Sequence, residues 1–316
     1  MKGLIRRWRD TRKGFKPRAV EELIDYYWHR PLAGLLVQLL LPTPITPNQV
    51  TAISGVFSLL AGLALVAAAR YHHGWALVAG LMLLCSIVFD CADGQLARLR
   101  GSSSTLGRVL DGFMDIAAPT CVFLGQAALL LSVGAPPLWV WPVGLFTALS
   151  LVWHASAYDV GKNLYLHCSR PDFSLGGDTL LSVAHMKEMR AKELAAGRRF
   201  AALLLTVWMA WTKPQMKAMR PWFGPERTPQ DDDERALYVQ HMGAQMRWLS
   251  WLGFGTHLFL LTLACWFAAW KPNLIWLAWL LISLPMNVVA AALAIGRGPR
   301  ERRFVAALAQ HRAQAR

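Results

Sequence analysis

WALVAGLMLLCSIVFDCADGQLARL, running from Trp75 to Leu99, is the stretch that decides the fold. Nothing between Trp75 and Phe89 is charged, and Asp90 and Asp93 then arrive just before Arg98. At about 1.5 Å of rise per residue, a helix of this length crosses the roughly 30 Å hydrocarbon core of a bilayer. Lipid offers backbone N–H and C=O groups no partners, so only helices and closed barrels span it. The dyad alternation of a barrel strand is absent from the sequence, which leaves the helix.

Working outward, the same reading gives six spans, at about Gln49–Ala69, Trp75–Leu99, Thr105–Val133, Leu138–Tyr165, Leu249–Trp270 and Leu274–Ile295. The expected fold class is all-α, a polytopic membrane protein of six transmembrane helices. Two apolar stretches are too short to cross. Leu32–Leu41, after Arg30 and Pro31, reads as an interfacial helix feeding the first span. Phe200–Trp211 lies between Arg198–Arg199 and Lys213–Pro214 and reads as a surface helix. It belongs to a long cytosolic insertion, about His167 to Arg247, that also holds the acidic run Asp231–Glu234. The expected organisation is a basic arm and interfacial helix over 1–46, a membrane domain over 47–296 that includes the insertion, and a basic tail over 297–316.

Composition agrees. Of 316 residues, 55% are hydrophobic and 16% charged, which excludes a disordered chain. Lys and Arg number 33 against 19 Asp and Glu, a net charge of +14. That charge alone would suit a nucleic-acid binder, but it accompanies long apolar runs, so membrane lipid is the expected partner and nucleic acid is not. Cys85, Cys91, Cys121, Cys168 and Cys265 form no CxxC pair, so neither a disulfide framework nor a structural zinc site is expected. The opening MKGLIRRWRDTRKGFKPR has no apolar core within reach, and reads as a cytosolic arm drawn to anionic headgroups rather than a cleaved signal.

The loops orient the bundle. With the N-terminus inside, the outer loops are Arg70–Gly74, Gly134–Pro137 and Lys271–Asn273, and Arg70 and Lys271 are their only Lys or Arg residues. This is the positive-inside pattern. It puts both termini in the cytosol, and in a bacterium the membrane would be the inner one. Trp75, Trp139, Trp141, Trp270 and Trp276 gather beside the same outer loops, as an interfacial aromatic belt does.

The chemistry lies where the second span ends and the third begins. Asp90 and Asp93 are three residues apart, and Asp111 and Asp115 four apart, so each pair shares one helix face. The link Arg100-Gly-Ser-Ser-Ser is short enough to make the two helices antiparallel neighbours. Four carboxylates can then converge just inside the cytosolic interface. Charges at membrane depth cost about 2.5–3.5 kcal/mol each on insertion scales, and like charges repel. Arg98, Arg100 and Arg108 offset part of this, and an oxygen-only donor set suits Mg²⁺ or Mn²⁺. Gly94 and Ala97 lie on or beside the carboxylate face, and Gly107 one turn before Asp111, which leaves room for a bulky ligand or for close helix packing.

The string D-x2-D-G-x2-A-R-x8-G-x3-D-x3-D is carried here by Asp90, Asp93, Gly94, Ala97, Arg98, Gly107, Asp111 and Asp115 without a departure. It resembles the signature of the CDP-alcohol phosphotransferases, also called CDP-alcohol phosphatidyltransferases. The resemblance covers about Thr46 to Tyr165 and includes Pro47-Asn48-x-x-Thr51. It implies transfer of a phosphoryl-alcohol group from a CDP-alcohol to an acceptor hydroxyl, with CMP leaving. It implies a metal cluster of two Mg²⁺ or Mn²⁺ ions held by Asp90, Asp93, Asp111 and Asp115, with Asp115 also the base for the acceptor. Gly94, Ala97, Arg98 and Gly107 would surround the nucleotide, with Asn48 and Thr51 at its cytidine or ribose end. A homodimer is compatible with the resemblance alone.

For the acceptor, Arg108 is the first candidate to hold a phosphate and Arg100 the second. His154, Tyr158 and Lys162, four residues apart on the fourth span, form a polar stripe that could bind a hydrophilic acceptor or hold helices together. The donor is expected to be CDP-diacylglycerol with a small soluble acceptor. The alternative is a CDP-choline or CDP-ethanolamine type of donor with a lipid alcohol such as diacylglycerol. Two other classes compete. A divalent-cation transporter would put acidic groups near the midplane of paired repeats, and none is visible. A membrane scaffold leaves the carboxylates unexplained.

Overall fold

The computed structural model describes residues 17–102, 105–171, 183–223 and 228–314. The arm of residues 1–16 lies outside these, as do the side chains of Arg108 and Asp111. Among the described residues every regular element is a helix. A π-helical turn, Asp25–His29, leads into α1 (Arg30–Leu40). There follow α2 (Pro47–Arg70), α3 (Trp75–Arg100), α4 (Thr105–Ser132), α5 (Pro137–Ser169), α6 (Val183–Ala195) and α7 (Arg199–Phe223). The chain continues with α8 (Asp232–Leu249), α9 (Phe254–Ala268), α10 (Ile275–Ser283) and α11 (Pro285–Gln314).

Among the described residues, six helical segments are long and apolar enough to cross a membrane, and Arg199–Ala210 is apolar but shorter. The chain is an all-helical integral membrane protein. The expected sixth span is broken: α10 stops at Ser283, and Pro285 opens α11, which continues as far as Gln314. Much of the expected basic tail is therefore helical. The fifth apolar helix begins at Phe254, after a single 3₁₀ turn over Ser250–Leu252.

The chain divides into two compact units. Among the described residues the first comprises 22–151 and 254–285, and the second 17–21, 152–253 and 286–316 up to its described end.

In the first unit α2 is the helix on which both α3 and α4 pack. Its start is built locally. Thr46 caps it, accepting from Gln49 N at 3.3 Å, while Gln49 Oε1 accepts from Thr46 N at 2.8 Å, and Pro47 occupies the first turn. Small residues then bring the helices together. Ser54 donates to Ser86 O at 3.1 Å, and the Ser58 and Ser86 hydroxyls are 2.7 Å apart. A methyl group on Gly62 would stand 2.9 Å from Cys121 O, and one on Gly125 would stand 2.6 Å from Leu65 Cβ. Membrane helices pack this way because lipid supplies no hydrophobic drive between them, so close backbone approach and hydroxyl bonds hold them. Gln126, fully buried on α4, accepts from Trp279 Nε1 at 2.8 Å and donates to Leu261 O at 3.4 Å, which ties α4, α9 and α10.

The second unit is held by Tyr165, Tyr238 and Phe304, whose rings meet edge-on or tilted, and by Gln245 donating to Leu293 O at 3.1 Å. Asp231 caps α8 by accepting from Glu234 N at 2.8 Å, and the buried Glu234 carboxylate pairs with Arg312.

Candidate active site

The first half of the carboxylate signature sits on the last turns of α3. Asp90 is half-buried and Asp93 is buried, at 7% exposure. Burial of a carboxylate is costly unless it is hydrogen-bonded, and Asp93 Oδ2 accepts from the hydroxyl of Thr51, itself buried on α2. The same Thr51 Oγ1 lies 3.1 Å from Pro47 O one turn earlier in its own helix. Thr51 therefore holds the plane of the Asp93 carboxylate from a neighbouring helix, as outer-shell groups do for metal ligands. Expected at the nucleotide, Thr51 makes its described contact with a carboxylate. Asn48 lies half-buried in the first turn of α2.

Arg98 is exposed and folds back along its own helix. A methyl group on Gly94 would stand 3.3 Å from Arg98 Nη1, so the absent side chain of Gly94 makes room for the guanidinium. This puts a positive charge beside Gly94, the residue that follows Asp93. The helix then stops at Gly101, whose φ of 62° is left-handed, with Ser102 N donating to Ala97 O at 3.0 Å.

Arg100 is used differently. Its Nη2 donates to Leu40 O and Thr43 O, each at 2.8 Å, and Nη1 donates to Ile45 O. The side chain thus clamps the end of α3 to the loop that delivers Thr46, Asn48 and Thr51. Arg100, a second choice for an acceptor phosphate, makes its described hydrogen bonds to backbone carbonyls of this loop.

The second half of the signature lies on α4, where Gly107 and Asp115 are half-buried. Arg108 and Asp111 are in the same helix, with side chains outside the described residues. Close approach again positions this helix. A methyl group on Gly55, one turn beyond Thr51, would stand 2.4 Å from Met114 Sδ, next to Asp115. Thus α2 meets α3 through Thr51 and Asp93, and meets α4 through Gly55 and Met114. Asp90, Asp93 and Asp115 each offer oxygen donors, the type that hard divalent cations take.

The polar stripe on α5 lies in the second unit, and each member has a partner there. His154 is fully buried with Nε2 3.1 Å from Asn287 Oδ1. Tyr158 donates to Val20 O at 2.7 Å, and Lys162 pairs with Asp159 at 2.6 Å. Asp231, Asp233 and His311 also bring ligand atoms within 4.8 Å of one another in this unit, at exposed or half-exposed positions.

Residues 44–212, just over half of the chain, match the model of the CDP-alcohol phosphatidyltransferase family. The chain belongs to this family. Its family segment runs from the loop before α2 into α7, so it contains the whole signature and part of the insertion. The chain is also 43% identical over 88 residues to the bifunctional IPC transferase and DIPP synthase of Rubrobacter xylanophilus. That match takes in 28% of this chain and 19% of the relative's length.

The sequence reading missed what Thr51 and Arg100 contact. A signal for the first was present in Thr51, Ser54 and Ser58, small polar residues at helical spacing in an otherwise apolar span.

Proposed function

We propose that this phosphatidyltransferase-family member transfers a phosphatidyl group from CDP-diacylglycerol to the hydroxyl of a small soluble acceptor, releasing CMP at the cytosolic face. The observation that carries the reading is the buried Asp93 carboxylate, oriented by Thr51 from the next helix, within an unbroken eight-position signature. The name of the Rubrobacter relative, a transferase and synthase, supports a transfer reaction and leaves the acceptor open. The catalytic membrane domain is taken to be 47–296.

Asp90, Asp93, Asp111 and Asp115 would hold Mg²⁺ or Mn²⁺, two ions in the proposed arrangement, which supply charge neutralisation at the pyrophosphate oxygens. Gly94, Ala97 and Gly107 leave space for the nucleotide, with Asn48 at its far end. Arg98 offers a planar pair of donors to phosphate oxygens. Thr51 keeps Asp93 in one orientation. Asp115 accepts the proton of the acceptor hydroxyl as its oxygen bonds to the phosphatidyl phosphorus. The bond from that phosphorus to the CMP oxygen breaks, and CMP departs with the electron pair. Arg108 is the residue proposed for an acceptor phosphate. The partners of His154, Tyr158 and Lys162 favour a packing role for the stripe.

The test is CMP release by purified protein in lipid–detergent micelles containing Mg²⁺ or Mn²⁺. CDP-diacylglycerol is offered with polyol, amino-alcohol and sugar-phosphate acceptors. CDP-choline and CDP-ethanolamine are offered in parallel with diacylglycerol. Metal-dependent release in the CDP-diacylglycerol arm is expected. Release confined to the other arm overturns the donor assignment, and metal-independent release overturns the role of the carboxylates.

A further inference from the structure

The insertion contains a helical hairpin with an unused face. The turn between α6 and α7 closes at Gly197, whose φ is 73°, with Arg198 N donating to Glu193 O at 2.9 Å. One face of α7 is satisfied within the hairpin: Ala202, Leu205 and Met209 are buried, and Met209 packs with Met186 and Trp208. The opposite face is not. Phe200, Leu203 and Val207 are 71%, 57% and 45% exposed, and Ala210 continues their line. Spacing of three and four residues makes these a single stripe, about 15 Å long.

Charge brackets that stripe. Arg199 lies at its start and Lys213 and Lys217 beyond its end, all three exposed. From Arg199 to Phe223 the sequence carries four basic residues and no acidic one. An outward apolar stripe with basic ends matches the headgroup layer of an anionic leaflet, where the alkyl chains take the stripe and the phosphates take the cations. A soluble partner would need an acidic rim to match both ends. A bilayer crossing would need a longer apolar run than Arg199–Ala210 supplies.

We propose that the outward face of α7 docks into the headgroup layer of an anionic membrane surface and lies along it, which makes the insertion a lipid-sensing hairpin. The proposal is independent of the transfer chemistry.

The test uses the full chain in nanodiscs of phosphatidylcholine, with or without phosphatidylglycerol. An environment-sensitive dye is attached at Leu203→Cys or, as a control on α6, at Arg190→Cys. The five native cysteines are buried or half-buried, and wild type carried through the same labelling gives the background. With phosphatidylglycerol present, the dye at position 203 is quenched by lipids spin-labelled near the headgroup and shielded from an aqueous nickel chelate. The dye at position 190 shows the reverse. Each basic side chain near an anionic surface strengthens attachment about fivefold. The triple variant Arg199→Glu/Lys213→Glu/Lys217→Glu therefore loses the shielding while keeping its helical circular dichroism. Three outcomes overturn the proposal. Quenching by the aqueous chelate in every lipid means a solvated face. Strongest quenching by lipids labelled deep in the chain means a crossing helix. Shielding that follows protein concentration rather than phosphatidylglycerol means the face is covered by a second copy.

Discussion

The end of α3 and the middle of α5 invite comparison. Both are polar patterns at helical spacing within apolar helices, and both have the form of a site in the sequence. In the first, Asp93 is held by a hydroxyl from another helix, while the half-buried Asp90 and the exposed Arg98 stand at its edge. In the second, His154, Tyr158 and Lys162 each meet a partner that also belongs to the fold: Asn287, the Val20 carbonyl and Asp159. Spacing tells which residues share a face. What stands opposite that face is set by distant parts of the chain: Thr51 in the first case, Asn287 and the Val20 carbonyl in the second.

The largest effect separating the two regions is expected from Asp115→Asn. Loss of a general base costs about 10²–10⁴-fold in rate, so CMP release should collapse while the thermal melt of the purified protein is retained. The corresponding change on α5, His154→Gln, should leave release measurable and lower the melting temperature. Should the two variants exchange these behaviours, the contrast between the regions is lost.

A finer comparison removes one hydroxyl from each. Thr51→Val frees the Asp93 carboxylate from its orienting bond, and loss of such an outer-shell group weakens metal affinity about 10–100-fold. Titration of activity with Mg²⁺ should move by that amount. Tyr158→Phe leaves the Val20 carbonyl without its donor, at about 1–3 kcal/mol of stability, with the metal titration unmoved. A shift of the titration in Tyr158→Phe would join the stripe to the site.

Arg100→Ala should act between the two. It releases the loop that carries Asn48 and Thr51, so KM for the CDP-alcohol should rise more than kcat falls, with Arg100→Lys recovering part of the loss. An unchanged KM would limit Arg100 to holding the loop for stability.

The smallest effect belongs to the hairpin turn, where the exposed Arg198 donates to the half-buried Glu193 carboxylate at 3.0 Å and keeps that carboxyl below its usual range. A depressed acid contributes stability above its unfolded value and loses it as pH falls through the folded one. Limited proteolysis of the α6–α7 turn should therefore rise slightly on acidification, and Arg198→Ala should remove that dependence without affecting CMP release.

Much of this was legible in the chain. The helical class and the spans follow from hydropathy and length, because a bilayer leaves a backbone few solutions. The carboxylate pairs follow from spacing. Other features were not legible. The break between α10 and α11 lies inside an apolar run, where Pro285 opens a new helix. The reach of α11 to Gln314 was hidden by its polar composition, since its buried Phe304 and Leu308 pack within the second unit.

The sequence by itself determined that this protein crosses a membrane as helices and carries four aspartates on two helix faces, because hydropathy and helical periodicity are properties of the local chain. Only the tertiary structure decided that Thr51 bonds Asp93, that Arg100 clamps a loop and that His154, Tyr158 and Lys162 meet Asn287, the Val20 carbonyl and Asp159. Those outcomes depend on which groups from distant parts of the chain arrive opposite a given face, and residue spacing carries no record of that.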